Sequence, residues 1–330
     1  MNSFSSTSKK IVIDVFMFNI LVLSILLSGC PNIKNAPTIN SETSLDLQAL
    51  LPAKIDSAAL IHHLSFLASE TTAGRQTATP GNLLAQKYIV KKFDSLGLSK
   101  AGEEWLQPFP VGNAGKSGNN VIGLIRGTKY PDSYIAITAH YDHLGIQDGK
   151  IFFGADDNAS GTACLLTMAQ YFKQHPPQHS LLILAFDAEE EGLIGSRYFI
   201  LHSPVPVEKI MLNLNMDMVS RSDKSEIYAC GIHYNPFLKK YIDSVQHTTT
   251  VHIMFGHDEP SGGSENWINQ SDHYPFYKSN IPFIYFGVED HEDYHKPGDT
   301  FEKVNTGFYF RVATMITTTA VLLDKQQKLQ

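Results

Sequence analysis

Apolar positions along this chain alternate between a helical and a strand period. Residues 57–69 place Leu60, Ile61, Leu64 and Leu67 at helical spacing. Residues 82–96 repeat the pattern with Leu83, Leu84, Tyr88, Ile89 and Phe93, and Gly97 is a natural stop. The stretch between them, residues 72–81, is a turn-rich loop. Short β-rich runs follow at 120–126 and 134–139, then a helical run at 159–173 and a fully apolar strand at 180–187. A helix at 192–201, strands at 210–217 and 281–287 and a long helix at 303–324 complete the pattern. Strands alternating with helices predict an α/β fold: one domain with a mixed, mostly parallel sheet and helices on both faces. No internal repeat is visible.

The first thirty residues follow a different logic. Lys9 and Lys10 precede an apolar run, residues 15–27, that ends in Leu27-Ser28-Gly29-Cys30. The run is short for a membrane span, and its basic start and small-residue end read as a secretory signal. Its last four residues resemble a bacterial lipobox, in which the Cys becomes lipidated and N-terminal. An ordinary anchor helix would leave the position of Cys30 unexplained. The chain therefore divides into a lipoprotein signal peptide (1–29), a tether rich in Asn, Ser, Thr and Pro (30–50) and one large folded domain (51–330). The expected localisation is a membrane-anchored lipoprotein, facing the periplasm or the cell surface.

Composition narrows the field. A 330-residue chain with 43% hydrophobic residues can bury a sizeable core. A net charge of −7 with no basic cluster excludes a nucleic-acid footprint. Cys30, Cys164 and Cys230 have no metal-type spacing, and nothing in the sequence supports a Cys164–Cys230 disulfide.

The candidate chemistry lies at strand ends. His140 closes one apolar strand, Asp187 to Glu190 follow another, and Asp217 closes a third. Ligands gather there in open α/β sheets. Asp156-Asp157-Asn158 stands before a helix and His295 in a loop before another. A helix cap would explain one of the adjacent acids, but not two facing a further acid cluster without a counter-charge. Asp217, in an apolar strand, is costly to bury unless something pairs with it. Asp142, two residues after His140, suits the carboxylate that fixes the tautomer of a metal-bound imidazole. Two imidazoles and three carboxylates are donors that zinc accepts in hydrolytic sites. Five donors exceed the need of one catalytic zinc. They suit a pair at about 3.5–4 Å if one carboxylate bridges.

These motifs, in this order, resemble the M28 family of zinc aminopeptidases, co-catalytic two-zinc exopeptidases, over residues 55–323. The resemblance implies two zinc ions. His140, Asp157 and Asp217 would hold one; Asp157, Glu190 and His295 would hold the other. Glu189 would be the general base, with Glu191 outside the ligand set. A cis peptide is expected at Asp157-Asn158. Asp142 would stand behind His140, and Tyr294 is a candidate to polarise the scissile carbonyl, with a packed loop aromatic as the competing role. His143 is a minor alternative ligand. Asp272 and His273 are expected to be structural or substrate-lining, and residues 257–267 to form a mobile loop near the entrance. Residues 97–120 leave no room for the inserted protease-associated domain that some relatives carry. The implied substrates are peptides with a free N-terminus. Two rivals share the scaffold: a single-zinc glutaminyl cyclase, which would not need His140 and Asp217, and a non-catalytic binding lipoprotein, which would have lost a ligand or Glu189.

Overall fold

The computed structural model describes residues 50–112 and 115–329. The expected signal peptide, most of the tether and Cys30 lie outside the described residues.

Helix α1 (Ser57–Leu67) starts where the Asp56 side chain accepts the Ala59 amide at 3.0 Å. Helix α2 (Pro80–Ser95) begins with Pro80 in its first turn and Thr79 as its cap. Ile89 and Phe93 of the periodic set are buried on its inward face, but the two leucines are not. Leu83 and Leu84 are 44% and 41% exposed, whereas Asn82, Ala85, Gln86, Ile89 and Phe93 are buried. The polar Asn82 decides the rotation, because its amide donates to the Arg75 carbonyl and to Asp187 inside the fold.

The remaining elements are β1 (Ser99–Lys100), β2 (Leu106–Val111), β3 (Lys116–Ile125), β4 (Tyr130–His140), β5 (Gly145–Gln147), β6 (Lys150–Phe152), α3 (Gly161–Gln174) and β7 (His179–Phe186). Then come α4 (Ile194–Leu201), β8 (Ile210–Met216), β9 (Glu226–Cys230), α5 (Lys239–Gln246), β10 (His252–Met254), α6 (His273–Lys278), β11 (Phe283–Gly287) and α7 (Thr306–Asp324). The main sheet runs β1-β3-β7-β4-β8-β11-β9-β10, with β2 also paired to β3. Its centre, β7-β4-β8-β11, is parallel. The flanking pairs β3-β7 and β11-β9 are antiparallel, so the sheet is mixed as expected. The short outer strands and α5 and α6 carry too few residues for a periodic signal.

The parallel centre is the core. Every residue of β7 is buried, and β4 pairs with it from Ile135↔Leu181 to His140↔Phe186. Helix α7 is apolar and long enough to cross a membrane by composition, yet most of it is buried against the fold as a core helix. Cys164 and Cys230 are both free and buried.

Candidate metal centre

The strands β7, β4 and β8 lie side by side and end together. His140 is the last residue of β4, Asp187 follows β7, and Asp217 follows β8. Asp157 arrives on the loop before α3 and His295 on the loop between β11 and α7.

His140 Nε2 stands 3.2 Å from Asp217 Oδ1 and 3.4 Å from Asp157 Oδ1. The other Asp157 oxygen, Oδ2, is 3.1 Å from His295 Nε2, which is 3.3 Å from Glu190 Oε2. Asp157 therefore turns one oxygen toward each donor group. Glu189 Oε2 is 4.0 Å from His140 Nε2. All five expected ligands and Glu189 converge, while Glu191 is exposed.

Two donor triplets within 4.8 Å are His140, Glu189, Asp217 and His143, Asp157, Glu190. They differ from the expected sets by Glu189 in place of Asp157 and His143 in place of His295. His143 Nδ1 lies 2.7 Å from Glu190 Oε1, a hydrogen-bond length, so His143 aims Glu190. His295, 38% exposed at its side chain, is the more open imidazole at the rim.

The residues present suit a divalent cation. Asp157 Oδ2 has no donor in hydrogen-bond geometry among the described residues, although His295 Nε2 is 3.1 Å away. The same nitrogen is 3.3 Å from Glu190 Oε2, so one imidazole faces two carboxylate oxygens. Burial pushes Glu189 well above the ordinary carboxyl range and Glu190 up to about 7. Burial works against charge on Asp217 as well, but His140 beside it holds that carboxyl below its ordinary value. One buried arginine, Arg75, offsets only part of so many acids out of water, so the cluster also suits a divalent cation.

The donors are braced from behind. Asp142 accepts the amides of Glu189 and Glu190 at 3.1 and 3.3 Å. Its backbone carbonyl lies 3.2 Å from His140 Nδ1. A proton on Nδ1 satisfies that carbonyl and leaves the Nε2 lone pair toward the cluster. Ser271 Oγ donates to Asp217 Oδ2 at 2.8 Å. Asp299 accepts the amides of Asp156 and Asp157 at 3.0 and 3.1 Å. The Asp157-Asn158 peptide is cis, as expected. Ala188, Met218 and His295 adopt left-handed backbone at φ 58°, 57° and 52°. Such residues cost about 1–3 kcal/mol each and persist where the surroundings over-determine them.

A cavity of about 230 Å³ opens over the cluster, lined in part by Glu189, Glu190, Trp267, Tyr285, Tyr294 and His295. Tyr294 stacks on His295 with ring centroids 4.0 Å apart. Burial and the neighbouring acids raise its phenol, which stays neutral at neutral pH. Trp267 stacks on His257 at 3.8 Å and its amide donates to the His257 carbonyl, so the base of the entrance segment is pinned. Asp272 and His273 are fully buried and do not line the cavity; His273 stacks on Tyr285 and Phe283.

One expectation is corrected. The acids do not lack a counter-charge: Arg75 is fully buried beneath them, and Arg221 Nη1 lies 3.7 Å from Asp299 Oδ1. The sequence reading also missed Thr77 and Asn82, and that they join Asp187 across the fold. Thr77 Oγ1 and Asn82 Nδ2 both donate to Asp187 Oδ1 at 2.9 Å. Asp187, next to the Glu run, carried a local signal; Arg75, in a turn-rich loop, carried none.

A mixed sheet whose central strands end in a histidine-carboxylate cluster defines an α/β protein with a metal-type site. Residues 120–320 match the family profile of Peptidase family M28, and the chain belongs to that family. It is 30% identical over 251 residues to Aminopeptidase YwaD of Bacillus subtilis, covering 72% of this chain and 51% of that protein. The chain thus spans about half the length of that curated relative. The fold is similar to a zinc aminopeptidase from Bacillus subtilis, with TM-score 0.65 at 17% identity over 81% of this chain and 95% of the other. It is also similar to a glutaminyl cyclase from Bacteroides thetaiotaomicron, with TM-score 0.64 at 16% identity over 83% of this chain and 100% of the other.

Proposed function

We propose that this chain is a two-zinc aminopeptidase that removes N-terminal residues from peptides. The observation that carries the reading is the posture of Asp157, with Oδ1 toward His140 and Oδ2 toward His295. His140, Asp157 and Asp217 would hold one ion, and Asp157, Glu190 and His295 the other. Zinc, when bound, supplies a Lewis acid that polarises a carbonyl and acidifies water.

The protein's own groups do the rest. Glu189 reaches into the cavity from a backbone that Asp142 holds by its amide. It takes a proton from the attacking water and delivers it to the leaving amine. Tyr294, neutral and stacked on His295, offers an O–H toward the scissile carbonyl. The small, acid-lined cavity suits a free amine with one side chain behind it, which favours an exopeptidase. The similar glutaminyl cyclase fold does not redirect the reading, because His140 and Asp217 remain positioned as a donor pair. Anchoring through a lipidated Cys30 belongs to the same proposal and rests on the sequence motif.

The deciding experiment combines metal analysis with hydrolysis of amino-acid p-nitroanilides. The expected result is about two zinc ions per chain, with activity abolished by a strong chelator and restored by added zinc. Full activity after elemental analysis shows the metal gone would overturn the proposal. One zinc with cyclisation of N-terminal glutamine would establish the cyclase instead.

A further inference from the structure

Arg75 is among the largest fully buried side chains of the described residues. It lies upstream of the residues that match the family profile. Four hydrogen bonds leave its guanidinium, all to backbone carbonyls. Nε donates to Tyr141 at 2.9 Å, Nη1 to Leu67 at 2.6 Å and to Phe153 at 2.7 Å, and Nη2 to Gly154 at 2.9 Å. Its own carbonyl accepts the His143 amide at 3.3 Å and the Asn82 side chain at 3.2 Å. Among the described residues no carboxylate lies within ion-pair distance, yet Asp157, Asp142, Asp299 and Glu190 all act on its charge.

The acceptors have a pattern. Tyr141 sits between His140 and Asp142. Phe153 and Gly154 lead directly into the loop that presents Asp157. One planar fork thus ties together the two loops that bring His140 and Asp157 face to face. Leu67, at the end of α1, anchors the fork to the helical layer. Four donors of fixed relative geometry specify distance and angle between the loops, which a flexible point charge does not. A buried cation so placed also offsets the acids above it.

We propose that Arg75 is a positioning residue of the metal centre: it locks the His140 loop to the Asp157 loop and keeps the donors in register. The inference rests on the two-zinc reading for its metal arm. It extends the working site into the N-terminal segment, so the matched region alone would lack a part of it.

The test uses the full chain. Zinc content of the wild type is measured first, because a wild type that binds no zinc defeats the two-zinc reading and leaves Arg75 to the exchange arm below. Arg75→Lys keeps the charge but loses the fork; Arg75→Met keeps the bulk but loses both. Zinc affinity is read by chelator competition and should fall about 10–100-fold in both variants. Phe93→Leu, in the core of α2, serves as a control of comparable thermal destabilisation and should keep wild-type zinc affinity. Wild-type affinity in the folded Arg75 variants, or an equal loss in the control, overturns the proposal.

Hydrogen exchange on metal-free wild type provides the second arm and decides the matter if the variants do not fold. The His143 amide, bound to the Arg75 carbonyl, and the Ala159 amide, bound to the Gly154 carbonyl at 3.1 Å, should be as protected as those of β4. Exchange of both at unfolded-chain rates, with β4 still protected, overturns the proposal whatever the metal result.

Discussion

Glu189 and Glu190 are neighbours in sequence, so replacing each with Gln tests their roles against each other. Both amides are held by the Asp142 carboxylate, at 3.1 and 3.3 Å. Changing one side chain therefore leaves the other in place. Glu189→Gln keeps size and polarity and removes only the base. Turnover should fall about 10²–10⁴-fold, the usual worth of general acid–base catalysis. At about 1.4 kcal/mol per tenfold, that is about 3–5 kcal/mol of transition-state stabilisation. Zinc content should not change.

Glu190→Gln meets a conflict of partners. Glu190 Oε1 faces His143 at 2.7 Å and Oε2 faces His295 at 3.3 Å. An amide that keeps its oxygen on His143 turns its NH₂ toward His295, where a ligand atom is needed. The reverse flip gives up the His143 bond. The first orientation removes the ligand atom and the second leaves a neutral, unbraced oxygen in place of a carboxylate, so zinc should fall toward one ion per chain. The assay pairs elemental analysis with single-substrate kinetics on an amino-acid p-nitroanilide. If Glu189→Gln sheds zinc while Glu190→Gln retains it, the assignment within the Glu run is shifted by one. Near-normal turnover in Glu189→Gln refutes the proton shuttle itself.

Three further outcomes can be tested, two from the structure and one from the sequence. His63 is 4% exposed and its imidazole is held down to about 4 by burial, against 6.5 ordinarily, so the unfolded chain takes the proton first as pH falls. Stability is full above 6.5 and is lost between 6.5 and about 4, by up to about 3 kcal/mol, whereas His63→Gln should lack that loss in urea unfolding at pH 7 and 4.5; equal pH slopes would contradict the burial argument. Gly154 has φ +55°, and a Cβ there would press on the Asp157 carbonyl and the His143 ring. Gly154→Ala should cost about 1–3 kcal/mol by thermal unfolding and weaken zinc binding, and unchanged values for both would contradict the packing. Cys30→Ser should move the protein from the membrane fraction to the soluble one or stall its processing; an unchanged fraction, with an unprocessed wild-type N-terminus, would dispose of the anchor.

The parts of the site that were legible in the sequence are those carried on single elements. His140 closes an apolar strand and Asp217 and the Glu run follow two others, and the strand pattern puts them all at the C-terminal end of the sheet. The core strands and helices were legible for the same reason, with ends displaced by a few residues where caps such as Thr79 and Asn305 decide the start. The edge strands, α5 and α6 were not, because stretches of two to eight residues carry little periodicity. On α2 the buried Ile89 and Phe93 were legible, whereas Leu83 and Leu84 stand partly exposed and Asn82, with no apolar signal, carries the contact.

What no local window could supply is the bracing. Thr77 and Asp187 are 110 positions apart, Asp157 and Asp299 142, and Arg75 and Gly154 79. None of these pairs has a sequence signal, since a polar residue in a loop is ordinary until its partner is known. Yet they, and not the ligand types, set the distances between donors. The donor types make a metal site chemically acceptable; the polar contacts from Asp142, Asp299 and Arg75 make it geometrically specific. A member of this family could therefore keep every ligand and still lose its metals through a change in the N-terminal loop. Variants at Arg75 and Asp299 accordingly belong beside those at His140 and Asp157 when metal loss is to be explained.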